Sequence, residues 1–404
     1  MKYDVTIVGA GPAGSTTAKF LAEKGFKVVL TDKEKYPRDK PCGGGLPVRV
    51  LQRYPYIVNE KIIEAYSYGG TCFSPSLQYK IEVDKNTPLI ATTLRKKFDF
   101  ELVKYAQDAG AEFLEGKNAV GVNIENDRAQ VLFQDGTSLD SEIIVGADGV
   151  NSIIAKETGL RKKGAERGIC ILQEFEVNEK IMDEYYTKNR HCYVHSRFKS
   201  VSGYGWVFPK KQHLNVGFGV IQAYKKTPEK NMNLLESYKE YIVFLKEHGI
   251  IPKTLKETPI RGGALPTRPL EKTYGNRIIL VGDAAGLINP LSGEGIYYAI
   301  TSGEIAAQVI SESLQNKQTD AKFLSQYQTR WKKDFGGDIA LIQQIVSRGK
   351  IEKRDRVFKI ADKDPVLRDL MMGVITGELS AQQFKWKIVG RFFIDSLKDR
   401  LSFK

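Results

Sequence analysis

Gly9-Ala10-Gly11-Pro12-Ala13-Gly14 directly follows the apolar run Val5-Thr6-Ile7-Val8, and that pairing leaves the N-terminal segment few ways to fold. A helix-like stretch runs from Ser15 to Lys24, and a second apolar run, Val28-Val29-Leu30, leads to Asp32. Strand, glycine turn, helix, strand and acid stand in the order that a dinucleotide site requires. Gly9 permits the tight turn, Gly11 lets backbone approach a pyrophosphate, and Gly14 lets the helix pack close to the strand. The helix beginning near Pro12 offers unpaired amides and a positive dipole end to the phosphates. Asp32 is placed to accept hydrogen bonds from a ribose hydroxyl. A glycine triplet alone marks only a turn; its flanking elements give it meaning.

With 404 residues the chain is long enough for two or three domains. Its 42% hydrophobic and 27% charged content describes an ordinary globular protein. No apolar stretch approaches the roughly 18–20 residues needed to span a bilayer. The first strand begins at once, with no cleavable signal before it, so a cytoplasmic protein is expected. Cys42, Cys72, Cys170 and Cys192 are widely separated and form no CxxC pair, which argues against a disulfide framework or a zinc site. His191 and His195 flank Cys192, but HCYVHSRF alternates like a strand, and no metal is expected there. The net charge of +13 has two readings: a solvated lysine-rich surface, or attraction to an anionic surface such as lipid headgroups. No nucleic-acid motif is visible, and nucleic acid is not expected as a partner.

Further along, the loop Lys35-Tyr36-Pro37-Arg38-Asp39-Lys40-Pro41-Cys42-Gly43-Gly44-Gly45 is rich in glycine and proline. Residues 96–109 carry helical periodicity, and 111–145 read as short strands in a meander, with turns at Glu125-Asn126-Asp127 and Gln134-Asp135-Gly136. The run Ile143-Ile144-Val145 reaches Gly146-Ala147-Asp148-Gly149. Residues 165–265 have strand character around a helical insert at about 232–248. A last buried-type strand, Arg277-Ile278-Ile279-Leu280-Val281, enters Gly282-Asp283-Ala284-Ala285, then Asn289-Pro290 and Gly293-Glu294-Gly295-Ile296. A helix continues to about 315, and from 320 onward the pattern is almost entirely helical.

An acid at the end of such a strand can bond a ribityl hydroxyl, and the next helix start can lie against pyrophosphate. Singly, these glycine–aspartate turns mark only turns. The ordered trio GAGPAG, GADG and GDAAG…P…GEGI resembles the flavoprotein monooxygenase-like superfamily, whose members bind FAD. The resemblance implies an α/β fold of the p-hydroxybenzoate hydroxylase type. In that fold a two-part Rossmann-type FAD-binding domain carries an inserted antiparallel-sheet substrate domain and a helical C-terminal region. The expected boundaries are 1–60, 95–160 and 272–318 for the discontinuous FAD-binding domain. Residues 61–94 and 161–271 are expected to form the substrate domain, and 319–404 the C-terminal helical region.

Tyr204-Gly205-Trp206-Val207-Phe208-Pro209, followed by Gly217-Phe218-Gly219, narrows the choice. It resembles the YxWxFP…GxG signature of the geranylgeranyl reductase family. Aromatics alternating at period two also suit a plain core. The functional reading puts Tyr204, Trp206 and Phe208 on one strand face beside the flavin, walling an apolar cavity. Pro209, Gly217 and Gly219 would complete the substrate surface, the glycines leaving room for a linear chain. The loop Lys40-Pro41-Cys42-Gly43-Gly44-Gly45-Leu46 resembles that family's cysteine-glycine loop. Its flanking cations, Arg38 and Lys40, and nearby amides favour a thiolate at Cys42; simple packing is the alternative. The resemblance places Ala13, Asp32, Cys42, Gly43, Gly45, Arg95, Ala119, Asp283, Gly295 and Ile296 on FAD-contacting positions. Gly9, Gly11, Gly14, Asp148, Gly282, Pro290 and Gly293 join them from the three motifs. Cys42, Tyr204, Trp206 and Phe208 are the expected catalytic group.

The resemblance implies an FAD-dependent reductase that saturates C=C bonds of geranylgeranyl chains on archaeal-type lipids, by flavin hydride transfer plus protonation. The partners it implies are an isoprenoid lipid, an external electron donor (ferredoxin, NAD(P)H or another reductant) and a membrane surface. No residue identifies itself as proton donor. An oxygen-using hydroxylase or halogenase is the alternative, although no reactive lysine stands out; a lipid-binding or electron-carrying flavoprotein is another. The expected location is peripheral, on the inner face of the cell membrane. In 384–401, Phe384, Ile388, Phe392, Phe393, Leu397 and Leu401 recur at helical spacing among Lys385, Lys387, Arg391, Lys398 and Arg400. This stripe suits either an interfacial helix or packing on the core.

Overall fold

A computed structural model describes residues 2–162, 164, 167–199, 203–221, 233–348 and 351–401. The chain divides into two compact units, each assembled from three separated segments.

The first unit comprises Met1–Lys40, Arg95–Glu166 and Leu265–Ile339. Strands Ile278–Leu280, Ser138–Gly146, Lys2–Val8, Val28–Asp32 and Glu112–Glu115 lie side by side and parallel. Val5, Ile7, Val29, Leu30, Ile144 and Ile279 are fully buried, because a parallel sheet is covered on both faces and its strands become continuous apolar runs. Ala129–Phe133 and Ala119–Ile124 extend the sheet as the antiparallel meander expected from the turn pattern. Helices Pro12–Ala22, Arg95–Asp108 and Ile296–Gln315 occupy the expected places. The first and last of these approach closely at Gly303, where a β-carbon would lie 2.6 Å from the Ala13 carbonyl oxygen.

The second unit comprises Pro41–Leu94, Arg167–Ala264 and Ala340–Lys404. Its main sheet runs Arg261–Pro266, Arg167–Glu176, His213–Ile221, Gly203–Pro209, Cys192–His195, Gly69–Phe73, Lys80–Asp84. On one face, Val207, Val216 and Phe218 pack with Tyr238, Tyr241 and Leu245 of helix Leu234–Glu247. At the far end, Cys72, Ile81 and Val83 pack with Phe358, Leu367 and Met372 of the C-terminal helices.

The boundaries fall differently from those expected. Residues 41–60 belong to the second unit, where Gly45–Pro47 pairs with Ile90–Thr92. Residues 319–339 belong to the first, anchored by the Trp331 indole donating to Thr273 Oγ1 at 3.1 Å and by Phe335 stacked on Trp331. Residues 340–404 form part of the second unit, since Phe358, Leu367 and Met372 complete the sheet's core. Of the C-terminal stripe, Ile388 and Phe392 pack against that core, and Arg391 holds Asp364 through two bonds of 2.8 and 2.9 Å. The side chains of Phe393, Leu397, Lys398, Arg400 and Leu401 lie outside the described residues. Among the described residues, no helix is long and apolar enough to cross a membrane.

Candidate functional site

In the first unit the three glycines have separable roles. Gly9 has φ +103°, and a β-carbon there would lie 2.3 Å from the Ala147 carbonyl oxygen. One on Gly14 would lie 1.9 Å from the Gly9 carbonyl oxygen, so any side chain would push the helix off its turn. Gly11 is different: the nearest atom to its imagined β-carbon is an Arg38 guanidinium nitrogen at 3.9 Å. The turn is therefore open where a pyrophosphate must approach. Gly11 also begins helix Pro12–Ala22 without a side-chain cap, which leaves first-turn amides for an anion.

Asp32 is held in place by the turn itself. Its Oδ2 accepts from the Ala10 amide at 2.8 Å and from the Tyr36 hydroxyl at 3.2 Å, and its Oδ1 accepts from the Glu34 amide at 2.9 Å. In the sequence Arg38 reads only as a flanking cation. In the fold it stands beside the open turn, with its guanidinium 2.6 Å from the buried Asp99 carboxylate. Arg95 grips the same carboxylate through bonds of 2.8 and 2.7 Å. Burial alone would raise the Asp99 pKa, but the two guanidiniums outweigh it and hold the carboxyl below its usual range. Arg38 and Asp99 lie far apart in sequence, and only the folded first unit pairs them.

The other cofactor-motif residues are also set by close approach. Gly282 has φ +56°, with Ala13 3.0 Å from its imagined β-carbon, and its amide donates to Ser302 Oγ at 2.9 Å. Asp283 Oδ1 would lie 3.3 Å from a β-carbon on Gly295, and Lys40 Nζ is 3.8 Å from the Asp283 carboxylate. Gly295 starts the helix containing Ile296 without a side-chain cap, and Gly293 has φ +66° in the turn after Pro290. Ala119 is buried at the start of its strand. Asp148 plays a structural part, with its Oδ2 accepting from the Ile153 and Ile154 amides at 2.6 and 3.3 Å. Burial nevertheless raises its pKa, and Oδ1 is buried without a hydrogen-bond partner. The open turn, the uncapped helix start and the oriented Asp32 fit a dinucleotide such as FAD.

In the second unit, strand pairing sorts the aromatic motif into rows. Tyr204 pairs with Gly219, which pairs with Cys170; Trp206 with Gly217 and Leu172; Phe208 with Asn215 and Glu174. Paired residues share a sheet face, so Tyr204, Trp206 and Phe208 lie opposite the Tyr241 side. Their ring centroids follow each other at 5.4 and 6.4 Å. The glycine floor, however, makes room for the protein's own indole. A β-carbon on Gly217 would lie 1.9 Å from Trp206 Cζ2, and one on Gly219 would lie 3.7 Å from Cζ3. The expectation that Gly217 opens space for a linear chain is corrected accordingly: Trp206, only 4% exposed, fills it. Tyr204 and Phe208 stay half-buried, and Pro209 closes the strand.

The cysteine loop lies on this face. A β-carbon on Gly43 would lie 3.0 Å from the Phe208 ring and 3.1 Å from Trp206 Nε1, and one on Gly45 3.5 Å from Phe208. Cys42 Sγ accepts from the Gly44 amide at 3.4 Å. All four cysteines are free thiols, and burial pushes Cys72 and Cys192 up to about 12. His191 meets Thr71 Oγ1 at 2.8 Å, whereas His195 Nδ1 meets the Tyr241 hydroxyl at 2.9 Å; among the described residues no metal-binding cluster forms.

Sequence reasoning missed the polar end of the aromatic face. Lys210 continues the even-numbered series 204, 206, 208 and is 1% exposed. Its Nζ lies 2.9 Å from both Glu174 carboxylate oxygens. Asn215, fully buried, donates to Glu174 at 2.7 Å and to the Cys42 carbonyl at 3.2 Å, and accepts from the Trp206 indole at 2.8 Å. The parity of Lys210 was the available signal.

The FAD binding domain family matches residues 2–334. A digeranylgeranylglycerophospholipid reductase of Methanocaldococcus jannaschii is 33% identical over 82% of this chain and 82% of that one. A geranylgeranyl bacteriochlorophyll reductase-like protein of Thermoplasma acidophilum has a similar structure, with TM-score 0.77 at 23% identity, covering 95% of this chain and 98% of that one. A flavin-dependent brominase shares the fold at TM-score 0.73 and 18% identity, with both chains fully covered. The chain is thus an FAD-dependent oxidoreductase that belongs to the FAD binding domain family and, within it, to the digeranylgeranylglycerophospholipid reductases.

Proposed function

We propose that this protein reduces C=C bonds in the geranylgeranyl chains of archaeal-type lipids. The observation that carries the reading is the aligned face of Tyr204, Trp206 and Phe208, an apolar surface one strand long. A trisubstituted alkene has no carbonyl to polarise, so the protein contributes positioning and exclusion of water. FAD, once reduced, supplies hydride to one alkene carbon, and a proton must reach the other. Gly11, the first-turn amides and Asp32 bind the dinucleotide, while Arg38 and Arg95 add positive charge near its phosphates. Cys42, Gly43 and Gly45 are proposed to contact the flavin, as the family resemblance implies, and Tyr204 and Phe208 to carry the chain. An external reductant, ferredoxin or NAD(P)H, restores the reduced state.

Lys210 gives the halogenase reading its one foothold, since that chemistry calls for a lysine near the reacting oxidant. Here both Glu174 oxygens engage the amine. Flavin absorbance separates the readings. Anaerobically reduced holoprotein should regain its oxidised spectrum when a geranylgeranyl lipid is added, and stay reduced with the saturated lipid. No reoxidation by the lipid, together with halogenated product once oxygen and halide are admitted, would favour the halogenase.

The lipid substrate motivates a peripheral position on the cytoplasmic face of the membrane. In helix Ala381–Leu401 the exposed apolar side chains among the described residues are Trp386, Val389 and Ile394, on one side of the helix, with Lys385 over the Trp386 ring at 5.1 Å. Aromatic and basic groups together suit an anionic headgroup layer. Co-sedimentation with anionic liposomes at low salt, lost on Trp386→Ser, is the expected outcome; equal binding by the variant would rule this helix out as the membrane contact.

A further inference from the structure

We infer that buried Lys210 and Asn215, joined by the half-buried Glu174, form a positioning relay that holds the Cys42–Gly45 loop in register with the aromatic face. Sheet pairing puts Phe208, Asn215 and Glu174 in one row, and Lys210 extends the same strand face. The Asn215 carboxamide is read on both sides: Oδ1 by the Trp206 indole at 2.8 Å, Nδ2 by the Cys42 carbonyl at 3.2 Å and Glu174 at 2.7 Å. A single amide therefore ties ring and loop together.

Lys210 lies beside the other side of the loop. Its ammonium would lie 3.4 Å from a β-carbon on Gly44, whose φ of +72° admits glycine and strains other residues. Gly44 is further pinned by its carbonyl, which accepts from the Thr93 amide at 2.9 Å. The Lys210 backbone is anchored too: its carbonyl accepts from Arg190 Nε at 3.1 Å and its amide donates to the His213 carbonyl at 2.8 Å. A buried ammonium is tolerated only with a partner, and Glu174 supplies one while orienting Asn215. Such a network favours the observed loop arrangement, because moving the Cys42 carbonyl away would cost the buried Asn215 amide one of its partners. The three act through the loop, and so are positioning residues.

The relay rests on the reductase reading only for the loop's contact with flavin; the loop's own geometry can be read without it. Holoprotein is treated with iodoacetamide, and labelling at each cysteine is followed by peptide mass spectrometry; buried Cys72 and Cys192 serve as internal controls. Two variants are compared: Asn215→Leu, and the double variant Glu174→Gln with Lys210→Met, which leaves no unpaired charge. The relay predicts that both fold and that Cys42 labels at least roughly tenfold faster while Cys72 and Cys192 do not; the loop's contact with flavin adds that the bound flavin's absorption bands shift. Asn215→Gln, which keeps the carboxamide, should recover part of the slow labelling. Cys42 labelling within twofold of wild type in a folded variant would overturn the relay. Loss of folding in both variants would also overturn it, assigning the trio to stability alone. Faster labelling with an unmoved flavin spectrum would keep the relay and reject the loop's contact with flavin.

Discussion

The proposed nucleotide cradle and the proposed substrate face are built for close approach of a ligand by opposite means. The cradle removes side chains: Gly9 and Gly14 have carbonyl oxygens where a β-carbon would go, and Gly11 leaves open space. The face adds them: Trp206 fills the floor over Gly217, and Asn215 bonds the loop beside it. Backbone geometry makes the first site nearly independent of distant partners. Cross-strand register makes the second depend on three strands and a loop.

Substitutions can break that contrast, and the largest effect is expected at Gly14. Gly14→Ala places a β-carbon 1.9 Å from the Gly9 oxygen, and a loss on the order of 4–5 kcal/mol is expected from thermal or urea unfolding. Trp206→Ala should cost about 3–4 kcal/mol, in the range for truncating a buried tryptophan, and reduce turnover while FAD stays bound. If stability falls but turnover does not, the face is core only. Gly11→Ala meets no obstacle, so it should fold normally while FAD affinity drops roughly 100-fold, about 2.8 kcal/mol, by fluorescence titration. A folded Gly11→Ala protein with unchanged FAD affinity would break the distinction between the glycines.

A smaller effect sharpens the comparison through pH. Burial lowers the His195 pKa to about 3, so the folded protein keeps it neutral while the unfolded chain protonates near its ordinary value of about 6.5. The unfolded state then binds the extra proton. Stability should fall as pH drops below about 6.5, by up to roughly 1.4 kcal/mol for this group over the single unit between pH 6 and 5. Asp99, depressed by Arg95 and Arg38, adds its own loss only below the ordinary aspartate range near about 3.9. His195→Gln should flatten the slope of unfolding free energy between pH 6 and 5. Trp386→Ser is expected to shift stability by less than about 0.5 kcal/mol, since the side chain is 74% exposed.

These sites differ as much in legibility as in construction. Local rules announce the cradle: a glycine turn between an apolar strand and a helix, and an acid ending the next strand. The two-unit α/β plan followed from strands returning at Ile143 and Ile278: the first pairs with Lys2–Val8, and the second pairs with the first. Lys210 carried only its parity as a signal, because a lysine after a strand-ending proline reads as solvated surface, and charged residues are rarely buried. Asn215 and Glu174 gain meaning only when three strands align, which no local pattern states. The same limit explains the boundaries at 41–60 and 319–339: Gly45–Pro47 pairs with a distant strand, and Trp331 reaches Thr273. Arg38 and Asp99 could be matched only in the folded protein.

If the FAD cradle and the apolar aromatic face together serve alkene reduction, the lipid itself must gain hydrogen. Chemically reduced holoprotein is incubated with digeranylgeranyl lipid under strict anaerobiosis, and the lipid is followed by mass spectrometry. The expected result is a product series rising by two hydrogens per saturated bond, with Gly11→Ala inactive unless FAD is in large excess and Trp206→Ala slowed at saturating FAD. Lipid of unchanged mass from flavin-loaded, fully reduced protein, together with hydroxylated or halogenated lipid once oxygen is admitted, would refute alkene reduction.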